Sequence, residues 1–217
     1  MRKLGWVLWL GVLALAVTAE DVLKAAEDYL KAAPWQAVAV GKIRLPSGEL
    51  ADARMKVYVI PGKEIARIEF EAPDAVADNF VILTPKKVYN YLFLTNQVVI
   101  YPRERARIEG LGFNLAQVGN LKELAGRKDL AWRLAGEETL DGKAALHLVG
   151  TPADPDDAGF TRVELWILKE PPRPYRFRVE DAEGELLVEL TWKAFKRTPL
   201  NPETLLAYPP DAEVIEK

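Results

Sequence analysis

Residues 50–60 read LADARMKVYVI, and their reading sets the fold. Ala53, Met55, Val57 and Val59 alternate with Asp52, Arg54, Lys56 and Tyr58. A period of two is the signature of a strand with one buried and one wet face. The turn PSGE (46–49) leads into this strand from WQAVAVGKIRL (35–45), and PGK (61–63) leads out of it into EIARIEFEA (64–72). There Ala66, Ile68 and Phe70 oppose Arg67, Glu69 and Glu71. NFVILT, KVYNYLFL and QVVIY continue the meander, separated by PKK and TN.

The second half repeats the habit. LAWRLAGEETL turns at DGK into AALHLVG. FTRVELWIL sets Val163, Leu165 and Ile167 against Arg162, Glu164 and Trp166, and YRFRVED sets Tyr175, Phe177 and Val179 against Arg176, Arg178 and Glu180. In EGELLVELTWKAF, Leu186, Val188, Leu190 and Trp192 oppose Glu189, Thr191 and Lys193. About ten or eleven antiparallel strands with one apolar and one charged face predict a large curved sheet. Such a sheet must hide its apolar face against something.

Two helices are expected. EDVLKAAEDYLKAA places Val22, Ala25, Ala26, Tyr29 and Leu30 on one face, with Pro34 beyond its end. Between the halves, RIEGLGFNLAQVGNLKELAGRKD repeats Leu111, Leu115 and Val118 at helical spacing among several glycines. It reads either as a connecting helix docked on the core or as a lid over the concave face.

The chain opens with Arg2 and Lys3, an apolar run from Leu4 to Ala19, and the small-x-small ending Val17-Thr18-Ala19. Sixteen apolar residues are few for a membrane span, which needs roughly 20. Basic start, apolar middle and small ending match a secretory leader over residues 1–19, with one domain expected over 20–217. Loss of the two cations Arg2 and Lys3 would take the net charge from -3 to -5. An acidic chain has no general attraction for nucleic acid or anionic headgroups. There is no cysteine, so folding rests on burial and backbone pairing, and Glu20 stands where a lipoprotein would carry its acylated cysteine.

Catalytic signatures are lacking. The one histidine, His147, alternates with Leu146 and Leu148 and so faces away from them, as a surface or boundary residue. No GxSxG, HExxH or phosphate-cradling loop occurs, and no zinc ligand set is present. Asp154, Asp156 and Asp157 cluster in TPADPDDAG, but prolines and alanines mark an exposed loop rather than an ordered calcium loop. Arg103, Arg105 and Arg107 read as a solvated face. No cofactor is called for. An apolar concavity under a glycine-rich cover suits binding of an apolar ligand.

At its end the chain resembles the LolA/LolB-like periplasmic lipoprotein carriers. DAEGELLVELTWKAF, the spacer KRTPLNPET and LLAYPPDAEVI match that family's closing pattern through Asp181, Gly184, Tyr208, Pro209, Pro210, Val214 and Ile215. IPGKEIARIEFEAP followed by FVILTPKKVYNYL is similar to its central strands. The resemblance implies an incomplete barrel of about eleven antiparallel strands closed by helices. It also implies a cavity for the acyl chains of a lipoprotein or lipid, taken from an inner-membrane lipoprotein-releasing transporter and passed to an outer-membrane acceptor. Met55, Val57, Val59, Ile68, Phe70, Leu165, Ile167, Phe177, Val179, Val188 and Leu190 are the expected cavity lining. Leu111, Phe113, Leu115 and Val118 are the expected lid. One departure stands out: these carriers usually place an arginine before the proline that ends the second strand, where this chain has Ile60 before Pro61. The alternative is a half-barrel regulator that senses lipid and restrains an anti-sigma factor.

Overall fold

The structure, a computed structural model, describes residues 17–103 and 129–217. The leader and the expected lid residues Leu111, Phe113, Leu115 and Val118 lie outside the described residues. Helix α1 (Ala19–Lys31) comes first. The strands β1 (Trp35–Arg44), β2 (Leu50–Ile60), β3 (Ile65–Ala72), β4 (Phe80–Leu83), β5 (Lys87–Leu92) and β6 (Gln97–Pro102) follow. The second half comprises β7 (Leu130–Leu140), β8 (Lys143–Pro152), the single turn α2 (Pro155–Ala158), β9 (Arg162–Leu168), β10 (Arg173–Glu180) and β11 (Leu186–Arg197). A short α3 (Pro202–Leu206) and β12 (Glu213–Glu216) complete it.

All twelve strands form one sheet in the order β12-β6-β5-β4-β3-β2-β1-β11-β10-β9-β8-β7, which does not close on itself. Every pairing is antiparallel except β12 on β6, where Val214 faces Val98 in a parallel ladder. The two meanders meet at β1–β11, where Ala39 opposes Trp192 and Ile43 opposes Val188. Gly41 sits in that seam, and a Cβ there would lie 1.8 Å from the carbonyl oxygen of Glu189. No side chain fits between strands that approach so closely.

Turn chemistry follows the sequence. Asp181 Oδ1 accepts hydrogen bonds from the amides of Glu183 at 3.1 Å and Glu185 at 2.7 Å. Gly184, with φ +78°, closes this turn between β10 and β11. The acidic loop is a helix start rather than an open loop: Asp154 Oδ1 accepts from the Asp156 amide at 3.0 Å as α2 begins. Helix α1 is turned slightly from the expected stripe. Its buried residues are Ala19, Val22, Leu23 and Ala26, whereas Ala25 is exposed.

The inner face of the sheet and α1 bury one large apolar cluster. The outer face is less uniform than plain alternation predicts. Phe80, Ile82, Tyr91, Val98 and Ile100 form a second cluster on β4–β6, and Ile60, Ile65 and Leu205 a third under α3. Trp166, Leu168 and Tyr175 form a fourth with Ala145. Trp166, expected on a wet face, is 6% exposed, because the end of the β7–β8 hairpin carries Glu138 and Leu140 over it. Tyr175 also departs from expectation. A register shift between Pro174 and Arg176 carries it into the outer cluster, away from Phe177 and Val179.

Candidate lipid-binding face

The candidate site is the concave face, and strand periodicity builds it. On β2, Met55, Val57 and Val59 point inward, and β3 places Ile68 opposite Val57 and Phe70 opposite Met55. Across the seam, Phe177 pairs with both Leu165 and Leu190, and Val179 with Val188. Ten of the eleven residues expected to line a cavity are buried, with exposures from 0 to 8%; Val59 is half-buried. All eleven belong to the same contiguous cluster. Helix α1 crosses this face and adds Val22, Leu23 and Ala26.

Sequence reasoning missed several residues of this face. Trp35, at the start of β1, stacks on Phe195 at 5.3 Å and meets the edge of Trp192 at 6.2 Å. Its indole nitrogen is buried without a hydrogen-bond partner, as is that of Trp132. The Trp132 ring lies over Gly150, where a Cβ would come within 2.9 Å of it. Asn90 is 2% exposed and shares a small crevice with Phe70, Val76, Asn79 and Val81. The signals for these were present but ambiguous: a tryptophan after a helix-ending proline, and an asparagine inside an aromatic strand.

Ile60 is buried beside Ile65 and Leu205 on the outer side, in purely apolar contact. A release device built on an arginine at that position has no counterpart in these contacts.

The outer face carries the polar chemistry. His147 is a boundary residue on this face, its side chain 14% exposed. Its ring stacks on Trp166 with centroids 4.3 Å apart and planes 6° from parallel. Nδ1 lies 2.9 Å from Glu138 Oε1, and Nε2 lies 3.2 Å from Glu164 Oε1 but out of line for a hydrogen bond. Glu164 also pairs with Arg162, Arg178 bridges to Glu180 at 2.7 Å, and Arg176 pairs with Glu189. Asp141 accepts hydrogen bonds from Lys193 and Tyr175, and these hold its carboxyl below the usual carboxylate range. Across the sheet, Lys56 and Arg54 hold Glu71 low in the same way. Both carboxylates are in paired, solvent-facing positions rather than in a cleft. Among the described residues no group of histidine, aspartate and glutamate is arranged to hold a metal ion.

The carboxy-terminal stretch from α3 to β12 folds as a strap over the outer face of β3–β6. Arg67 donates to the carbonyls of Ala207 at 2.7 Å and Leu205 at 3.3 Å, with its guanidinium 3.8 Å over the Phe80 ring. Tyr208 stacks on Tyr89, and Asn96 donates to Asp211. The strap ends by pairing β12 with β6.

No protein-family model matches the chain, and no curated protein matches it in sequence. Solved structures do. A conserved, uncharacterised protein from Thermus thermophilus is 34% identical over 92% of this chain and 99% of its own, with a TM-score of 0.71. A chain in the Pseudomonas aeruginosa MucA/MucB complex structure is 18% identical over 90% of this chain and 62% of its own, with a TM-score of 0.54. A LolA superfamily protein, NE2245 from Nitrosomonas europaea, is 16% identical over 88% of this chain and 99% of its own, at a lower TM-score of 0.44. The chain thus belongs to the family of the conserved Thermus thermophilus protein.

Proposed function

We propose that this protein is a non-catalytic periplasmic carrier that shields the acyl chains of lipoproteins or lipids on its concave face. The observation that supports this reading is the convergence of eleven apolar side chains from β2, β3, β9, β10 and β11 on one continuous surface of an open sheet. An acyl chain gains about 0.8 kcal/mol per methylene withdrawn from water, so a cargo with long chains needs an apolar container to cross an aqueous compartment. Helix α1 covers part of that surface through Ala19, Val22, Leu23 and Ala26. A helix that covers an apolar face can exchange with an acyl chain competing for the same surface. The cargo would come from an inner-membrane lipoprotein-releasing transporter and pass to an outer-membrane acceptor.

Titration of delipidated protein with a fluorescent fatty acid, followed by displacement with a diacylated lipopeptide, tests the reading. Saturable binding and full displacement are expected. Met55→Trp, which fills the face, should weaken binding at least tenfold while leaving the far-ultraviolet dichroism unchanged. If the wild-type protein binds neither probe nor lipopeptide, the carrier reading fails.

The likeness to a chain of the MucA/MucB complex favours a second reading, in which the half-barrel restrains an anti-sigma partner. Specific capture of a membrane anti-sigma protein, with no acyl cargo, would select it.

A further inference from the structure

We propose that the exported chain is cut between Ala16 and Val17, so that the folded protein begins at Val17. This rests on the reading of residues 1–19 as an export leader and moves its processing site by three residues. The sequence offers two small-x-small endings in succession, Ala14-Leu15-Ala16 and Val17-Thr18-Ala19. Both satisfy the requirement for small residues before the scissile bond. Spacing does not separate them, since Leu4–Leu13 is already an apolar stretch of suitable length in front of the first.

The fold separates them. Thr18 is the N-cap of α1: its Oγ1 accepts a hydrogen bond from the Asp21 amide at 3.1 Å. The Asp21 carboxylate accepts in return from the Thr18 amide at 3.1 Å and from the Thr18 hydroxyl at 2.7 Å. This reciprocal box satisfies two helix-end donors, and cutting after Ala19 would remove its threonine. Ala19 is 6% exposed and opens the buried series Ala19, Val22, Leu23 and Ala26, which has the i, i+3, i+4, i+7 spacing of a docked helix face. It is the first residue of the core rather than the last of a leader.

The electrostatics agree. A new amino terminus at Glu20 would put a positive charge at the positive end of the helix dipole, where Glu20 and Asp21 now sit. A terminus at Val17 stands outside the cap.

Producing the full chain in a Gram-negative host and sequencing the amino terminus of the osmotic-shock fraction tests this. A single start at Val17 is expected. Ala16→Phe should reduce the Val17-start product at least tenfold. Val17→Phe, a change at an exposed position that spoils only the second ending, should leave cutting after Ala16 unchanged. A start at Glu20, or an Ala16→Phe product identical to wild type, overturns the proposal while export stands. Recovery of an intact chain from Met1 in the membrane fraction overturns both.

Discussion

The two wings of the sheet finish their outer faces in opposite ways. On β3–β6 the outer face is apolar, and chain covers it: the strap from α3 to β12 lies over Phe80, Tyr89 and Ile100. On β8–β11 much of the outer face is charged and needs no cover. Arg162, Glu164, Arg176, Arg178 and Glu189 pair with one another laterally, with His147 and Trp166 packed beneath Glu138. The inner faces of both wings are alike. One sheet therefore solves the problem of its second face twice, by burial and by ion pairing, and the two solutions fail under different perturbations.

Removal of residues 207–217 should have the largest effect. It exposes the β4–β6 cluster and deletes the β12 ladder, and a loss of about 4 kcal/mol is expected from apolar burial and backbone hydrogen bonds together. A lower urea midpoint with strong binding of a hydrophobic dye would show it. If the midpoint barely moves, the strap is decoration and the contrast collapses. Glu164→Ala comes next. It leaves Arg162, Arg178 and His147 facing a buried gap, and about 2 kcal/mol should be lost, less than for a sealed pair because the arginines are partly exposed. Glu164→Leu with no loss, or with a gain, would show that the lattice fills space rather than stabilises.

The smallest effect is acid sensitivity, shared by both wings. The Asp141 and Glu71 carboxyls are depressed in the fold, chiefly by hydrogen bonds from Lys193 and Lys56 respectively. Their contribution is complete above the unfolded carboxylate value of about 4 and disappears as pH falls through the lower folded values. Urea midpoints should drop between about pH 5 and pH 3, and Asp141→Asn and Glu71→Gln should each flatten the slope. An unchanged slope in both variants would locate the acid sensitivity elsewhere.

How much of the molecule is legible in its chain depends on the range of the interaction. Met55, Val57, Ile68, Phe70 and Leu165 can be assigned to one face because a strand's period of two is written in adjacent residues. Their gathering from three strands on one surface requires the resemblance as well. Tyr175 falls on the other face from the one its alternation predicts, because a bulge changes the parity of a strand without changing its composition. Trp166 reads as wet because its cover, Glu138 and Leu140, comes from a neighbouring hairpin end, which local alternation does not encode. The tail motif is recognisable as a pattern, yet its parallel pairing with β6 joins residues more than a hundred positions apart. Asn90 and the indoles of Trp35 and Trp132 give only an ambiguous signal, polar atoms in apolar company.

The seam between β1 and β11 has a consequence for how the molecule comes to exist. Trp35 pairs with Arg197, whereas most other strand pairs are hairpin neighbours. Each meander can form from local contacts, but joining them closes a loop that runs from Ile43 to Val188. Long-range closure is what makes sheet proteins slow to fold. A chain that emerges amino-terminus first must hold the free edge of β1 unpaired until β11 arrives. Through that interval the edge is a template for any other strand it meets, so the period of greatest exposure to misassembly lies between the completion of the first meander and the closing of the seam.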